Sequence, residues 1–281
     1  MYGIRSKRCF MMKGRLSGKV AIVTGGGAHK DGETGTGFAT VVSFAREGAQ
    51  VLIVDISEEN AQRTLSALKA EGKDGSVLVA DVTSDNECKE MMDVVKRRYG
   101  NLHILMNNAG IAASSNVTDL KEEILEKSLD INLKSAVFAS KYAIPLMSKS
   151  GGGSIINISS IDGIVAGMHH NVSYAVAKGG LHMLTKTTAA YHGREGIRAN
   201  CIAPGHLFAA FTSKLPNKTR DLRRRAGPLG SEGTAWDVAK AAVFLASDES
   251  RWISGVTLPV DGGLLAAAPL TAYSYLENIP F

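Results

Sequence analysis

Tyr174 and Lys178 stand four residues apart in the run SYAVAK. On a helix that spacing puts both side chains on one face. A phenol titrates near ~10, too high for proton transfer at neutral pH, and an adjacent ammonium favours the phenolate and lowers that value. The pair is therefore a candidate proton donor or acceptor for a reacting oxygen. Alone it would mean little, because the same spacing occurs by chance on ordinary helix surfaces. Other polar groups precede it at punctuated positions: Ser159-Ser160 closing SIINISS, Asn132 within DINLKS, and the turn Asn107-Asn108-Ala109-Gly110.

A second group of residues reads as a phosphate cradle stretched in the middle. Residues 24–37 are TGGGAHKDGETGTG. Gly25 ends an apolar run, and Gly35-Thr36-Gly37 opens a helical pattern. A backbone that turns sharply and approaches a pyrophosphate needs glycine there, and a helix start offers free N–H groups and the positive end of its dipole. Asp55 closes the next apolar run, 18 residues after Gly37, where an acid would hydrogen-bond an adenosine ribose. A carboxylate at that place repels a 2′-phosphate and so favours NAD over NADP. Asp55 could instead cap the helix that follows it. Within AHKDGET, His29 or Lys30 could reach the adenosine or pyrophosphate, and Lys30 on the ribose would admit NADP. A surface flap is the plainer alternative.

These groups need a frame to hold them. Short apolar runs fall at 20–23, 51–55, 77–81, 102–110, 154–160, 197–205 and 255–263, with helical patterns between them. Runs apolar throughout suit parallel strands covered on both faces. Their alternation with helices predicts an α/β fold, a doubly wound parallel sheet in a single domain with helices on both faces. Ligands bind beyond the carboxyl ends of such strands. The ends here are TGG, VDI, ADV, NNAG, ISS and APG, small or polar in each case, so one crevice should gather them.

Bulk properties narrow the partners. Apolar residues make up 44% and charged residues 21% of the 281, and apolar runs fall short of the roughly 20 residues that span a bilayer. The formal charge is +5, yet residues 1–15 hold five basic side chains and no acid, leaving 27 basic against 27 acidic from Leu16 onward. A neutral body attracts phosphate backbones weakly, which argues against nucleic acid as a partner. The basic segment reads as a flexible tail with alternative starts at Met11 or Met12, or as a short organelle-targeting segment. Cys9, Cys88 and Cys201 are scattered, with neither metal spacing nor a disulfide framework, which fits a reducing, cytoplasmic compartment and no metal site.

The motifs in their order resemble the short-chain dehydrogenase/reductase family: the TG…GTG loop, ADV at 80–82, NNAG, the Ser–Tyr–Lys set, IRANCIAPG and SGVTLPVDGG. The resemblance covers about residues 16–265, leaving the tail 1–15 and a C-terminal extension 266–281. It implies a Rossmann-type sheet of seven parallel strands, a nicotinamide cofactor (NAD, with NADP as the alternative), and a homotetramer or homodimer built partly through the helices before and containing Tyr174. The substrate implied is a small to medium, fairly apolar secondary alcohol or ketone. Tyr174 would be the general acid or base, Lys178 would lower its pKa and bind the nicotinamide ribose, Ser160 would hydrogen-bond the substrate oxygen, and Asn132 would hold a water linking Lys178 to solvent. Gly25, Gly35, Thr36 and Gly37 would face the phosphates, and Asp55 the adenosine ribose. Asp81 and Val82 would contact the adenine, and Asn108, Ala109 and Gly110 would line the cofactor wall. Pro204, Gly205 and Leu207 would flank the carboxamide.

Three features depart from the family pattern. The glycine loop is about six residues longer than the common form. Ser160 lies 14 residues before Tyr174, one more than usual, an excess the loop GIVAGMHHNVS can absorb. Ala209 stands where the family's PG-x-x-x-Thr has its hydroxyl, with Thr212 as a distant substitute. The stretched loop and Ala209 motivate one alternative, a non-catalytic dinucleotide-binding sensor; a non-redox cyclase or isomerase of the same fold is another. Near the substrate, His169, His170 and His206 read as solvated loop residues. LFAAFTSKLPNKTRDLRRRA reads as a mobile cover with Phe208 and Phe211 as walls, and Arg223–Arg225 as a solvated helix face that could meet an acidic substrate. Cys201 reads as packed against the next strand. The terminal TAYSYLENIPF would dock on a neighbour, close the pocket or stay disordered.

Overall fold

A computed structural model of the chain describes residues 14–30, 34–112, 114–167, 170–210 and 212–277. Seven parallel strands form the central sheet: β1 (Val20–Thr24), β2 (Gln50–Asp55), β3 (Gly75–Val79), β4 (Ile104–Asn107), β5 (Gly153–Ile158), β6 (Ile197–Pro204) and, after two short strands, β9 (Thr257–Val260). Their spatial order is β3-β2-β1-β4-β5-β6-β9. The chain winds outward from β1 through β2 to β3, then returns to pair β4 against the other side of β1. That reversal opens a crevice between the carboxyl ends of β1 and β4, where this class of sheet binds ligands. β7 (Leu207–Phe208) and β8 (Gly233–Thr234) form a separate pair above β6.

Helices cover both faces. On one lie α1 (Thr36–Arg46), α2 (Glu58–Ala70) and α8 (Ala235–Ala246), whose Ala39, Phe44, Leu68 and Val238 pack with Val23, Ile53 and Ile202. On the other lie α3 (Asp85–Tyr99), α5 (Ser135–Lys149) and α6 (Val172–His192), with Met91, Val95, Ala139, Met147 and Ala189 against Ile22, Leu52 and Leu105. Burial on both faces is why the strands lack polar alternation. Local signals set the helix starts: Ser57 and Ser84 accept from Asn60 and Glu87 N–H, and Thr234 with Asp237 forms a capping box. α4 (Glu122–Leu129) runs into α5 through a π-turn over Asp130–Lys134. The cover segment forms α7 (Asn217–Ala226), and α9 (Pro269–Glu277) packs against it. So the C-terminal extension is helical up to Glu277 and docks on its own chain's cover.

Candidate active site

A cleft of about 470 Å³ gathers the strand ends. It is lined by Gly25, Gly35, Thr36, Gly37, Asp55, Asp81, Val82, Asn108, Ala109, Gly110, Ser160, Tyr174, Lys178, Pro204, Gly205 and Leu207. Of the candidate residues only Asn132 stands behind the wall, 1% exposed.

The phosphate cradle begins at the Thr24-Gly25 turn. Gly25 takes a φ of 61°, a conformation side chains disfavour. A Cβ on Gly37 would stand 1.9 Å from the Gly25 carbonyl oxygen, so only glycine lets α1 start this close to the turn. The NNAG segment ties both to β4. Asn108 Nδ2 donates to the carbonyls of Thr24 and Gly25 at 3.1 and 3.0 Å, and its Oδ1 accepts from Thr36 Oγ1 at 2.6 Å. Thr24 Oγ1 accepts from the N–H groups of Asn108 and Ala109. Gly35 caps α1 with no side chain, which leaves the helix start bare toward the cleft. A cradle that closes around glycine, ending in uncapped N–H groups, suits a diphosphate.

Asp55 marks the next stretch. Its Oδ2 accepts from Gly27 N–H at 2.9 Å and its Oδ1 from Ser57 N–H at 3.0 Å. The carboxylate thus fastens the glycine turn to the start of α2, while Ser57 itself is the cap. The added loop starts by lying down along α2: Ala28 N–H donates to Asn60 C=O, and Thr64 Oγ1 donates to Gly26 C=O. His29 lines the cleft beside Gly35. On its return, Thr34 C=O accepts from Ala210 N–H at 3.4 Å, so the insertion touches the cover over the cleft. Asp31, Gly32 and Glu33 lie outside the described residues. Asp81 Oδ1 accepts from Thr83 N–H and Oγ1, fixing the turn after β3.

The proton-handling groups converge from β5 and α6. Tyr174 is hydrogen-bonded to Ser160, and burial pushes its phenol up to about 12, with that bond opposing the shift. Lys178 is 3% exposed; burial pushes its ammonium down to about 8. Its Nζ donates to Ile158 C=O at 2.7 Å and lies 5.6 Å from the Tyr174 ring centre. Burial therefore works against the lowering expected from the lysine charge, and the Ser160 bond works with it. Ser159 and Ser160 are adjacent yet differently placed. Ser159 Oγ donates to Lys178 C=O at 2.8 Å and meets His182 Nε2 at 3.0 Å, and His182 Nδ1 meets Thr257 Oγ1 at 2.8 Å. Ser160 Oγ accepts from Asp162 N–H and faces Tyr174. Asn132, in the π-turn, clamps Ile111: its Oδ1 accepts from Ile111 N–H at 3.0 Å and its Nδ2 donates to Ile111 C=O at 3.1 Å. A Cβ on Gly110 would lie 2.8 Å from Asn132 Oδ1 and 3.3 Å from Lys178 Nζ, so that glycine lets the two approach.

The cover differs from expectation in detail. Thr212, expected to be distant, lines the cleft, and its Oγ1 donates to Leu207 C=O at 2.7 Å and accepts from Ala209 N–H at 3.2 Å. Phe208 stacks under Arg220, 3.8 Å from ring centre to guanidinium, instead of walling the cleft. His206 is half-buried, with Nδ1 3.0 Å from the Arg223 carbonyl, not solvated. His170 is exposed, and its carbonyl accepts from Ser115 N–H. His169 and Phe211 lie outside the described residues. Cys201 is fully buried in β6 beside β5 and β9. Residues the sequence reading missed include Thr83, Ile111 and Asn60, which line the cleft or its wall without a chemical signature of their own. Among the described residues there is no cluster of three His, Cys, Asp or Glu able to hold a metal, and no helix long and apolar enough to cross a membrane.

A switch-point cleft with a glycine cradle and buried phenol and ammonium groups defines a Rossmann-type NAD(P)-binding protein. A family profile described as enoyl-(acyl carrier protein) reductase matches residues 30–265. A 3-oxoacyl-[acyl-carrier-protein] reductase of Thermotoga maritima is 38% identical over 253 residues, 89% of this chain and 99% of its own. Among solved structures, a putative short-chain dehydrogenase/reductase from Burkholderia xenovorans aligns with a TM-score of 0.86 and 35% identity, covering 91% of this chain and 99% of that one. A gluconate 5-dehydrogenase from Burkholderia cenocepacia, in complex with NADP and tartrate, aligns with a TM-score of 0.83 and 31% identity over 90% and 98%. The chain belongs to the short-chain dehydrogenase/reductase family and is an oxidoreductase.

Proposed function

We propose that the protein moves a hydride between NAD(H) and a secondary alcohol or ketone. The observation that carries this reading is that Ser160, Tyr174 and Lys178 line the same cleft as the glycine cradle and Asp55. The nicotinamide, when bound, supplies or accepts the hydride. Gly25, Gly35, Thr36 and Gly37 hold the diphosphate, and Asp55 the adenosine ribose. Asp81 and Val82 border the adenine, Asn108, Ala109 and Gly110 form the wall, and Pro204, Gly205 and Leu207 flank the carboxamide. In reduction, the neutral Tyr174 phenol gives its proton to the substrate oxygen while Ser160 hydrogen-bonds that oxygen; in oxidation Tyr174 takes the proton back. Lys178 binds the nicotinamide ribose, and Asn132, which clamps the Ile111 segment, holds a water that links Lys178 to solvent. Asp55 supports NAD over NADP, since its charge opposes a 2′-phosphate. Exposed Val137 on α5 and Val176 and Met183 on α6 support a homodimer or homotetramer assembled through those helices. The test is to titrate NADH and NADPH by fluorescence and then screen alcohols and ketones with the tighter cofactor. Tighter NADH binding with turnover is expected; bound NADH without turnover of any compound would sink the reading.

A further inference from the structure

Helix α7 carries four arginines, and one differs from the rest. Arg220 is paired with Glu232 at 2.7 Å, Arg224 with Asp221 at 2.7 Å, and Arg225 with Asp221 at 3.8 Å. Among the described residues Arg223 has no carboxylate within ion-pair distance. It is also the arginine that lines the active-site cleft, together with Ser160, Tyr174 and Lys178. Among the described residues one bond holds its guanidinium, from Nη2 to Leu207 C=O at 3.3 Å, and its buried Nε has no partner. Its carbonyl is tied to His206 Nδ1 at 3.0 Å, which fixes this turn of the helix over the cleft. Two acids stand near: Glu232, whose Oε2 pairs with Arg220 and whose Oε1 is buried without a hydrogen bond among the described residues, and Asp162, accepting from Asn171 Nδ2 at 2.6 Å. A buried donor left unmade is unfavourable, and a planar guanidinium edge matches two anionic oxygens.

We propose that Arg223 reads a carboxylate on the substrate, so that the alcohol or ketone taken by this cleft is a hydroxy or keto acid. This rests on the dehydrogenase reading above and gives its substrate class. The diphosphate of the dinucleotide offers the same oxygen chemistry, but the glycine cradle already provides for it. The substrate's body remains apolar and its far end carries charge. A hydrogen bond to a charged group, lost with one partner still buried, changes specificity by about 10- to 100-fold.

The experiment compares short 3-hydroxy acids with their methyl esters, at saturating NAD, for the wild type, Arg223→Met and Arg223→Lys. The wild type should favour acid over ester by about 10- to 100-fold in kcat/KM. Arg223→Met should bring that ratio close to one, and Arg223→Lys should keep part of it, with the NADH dissociation constant within about twofold throughout. A wild type that treats acid and ester alike overturns the proposal, and this arm stands even if Arg223→Met fails to fold. Loss of NADH affinity in Arg223→Met would assign the side chain to the diphosphate instead. Equal losses on acid and ester would make it a structural partner of Glu232. Turnover of neutral alcohols alone would leave the dehydrogenase reading intact while this one falls; bound NADH with no turnover at all would remove both.

Discussion

Lys178 is a charge placed where water cannot reach it, and its removal should stabilise the protein in a pH-dependent way. Burial lowers the group from 10.5 to about 8. Between those values the unfolded chain binds more protons than the native one, so the stability due to this group rises with pH across the window. Below it the full penalty applies, on the order of 3 kcal/mol at about 1.4 kcal/mol per pKa unit. Integrating the linkage, roughly 2 kcal/mol of that penalty is relieved between about pH 7.5 and 9.5. Lys178→Met keeps the length of the side chain and removes the charge. Urea unfolding of both proteins, at matched concentration and under reducing conditions, gives the two stabilities at each pH. Their difference isolates the lysine. Cys88, pushed up by burial to about 12, lowers stability above its unfolded value of 9.0 in both proteins alike; Cys201, pushed up to about 11, sits in the field of the Lys178 charge, whose loss raises it further, so up to pH 9.5 it stays protonated in both native proteins. Loss of the bond to Ile158 C=O shifts the margin by a constant amount and leaves its slope. The variant's margin over the wild type should therefore be larger at pH 7.5 than at 9.5 by about 2 kcal/mol. A margin that is flat, or that grows with pH, would show that desolvation is not what governs Lys178.

Tyr174→Phe should lower kcat by about 10²- to 10⁴-fold, as loss of a general acid does, with the NADH dissociation constant nearly unchanged in a fluorescence titration. Because the Tyr174 phenol is pushed up to about 12, the proton-accepting form becomes commoner as pH rises. Alcohol oxidation should therefore accelerate from about pH 7 to 9 while ketone reduction does not, as steady-state kcat in both directions will report. Gly37→Ala places a Cβ 1.9 Å from the Gly25 carbonyl oxygen, so dinucleotide binding should be lost in calorimetry. Asp55→Asn removes the charge beside the ribose site, and the NADH-to-NADPH affinity ratio should move about tenfold toward NADPH in paired titrations.

The strands were legible because burial on both faces leaves a plain mark: VAIV, VLIVD and SIINISS have no polar alternation, and each sits in the sheet within two or three residues of its expected place. Strand order was not legible, since parallel pairing leaves no local signal for which run lies beside β1, and the resemblance implied only the number of strands and their parallel sense. The π-turn at Asp130–Lys134 was not legible at all. Its cause is long-range: Asn132 faces inward to clamp Ile111, a residue 21 positions away, and nothing in DINLKS itself calls for a widened turn. The insertion after Gly27 was visible as length, but its course along α2 depends on Asn60 and Thr64, which carry no pattern marking them as receivers of a loop.

The cleft shows where residue type stops being informative. Ser159 and Ser160 are chemically the same, and in an extended chain neighbours point to opposite sides. One therefore bonds Lys178 C=O and His182 in the interior, while the other faces Tyr174. The direction of each follows from where β5 ends, which the sequence left open by a residue or two. The same geometry decides among the arginines of α7. As a run, RRR reads as solvated, and two of its members are bonded at the surface to Asp221. Arg223 turns to the cleft because His206 and Leu207, on the segment leaving β6, hold that turn of the helix over the strand ends. What α7 contributes to chemistry is thus fixed by two residues outside it, and removing the His206 contact, not altering the charge of the helix, is the change that would turn Arg223 away.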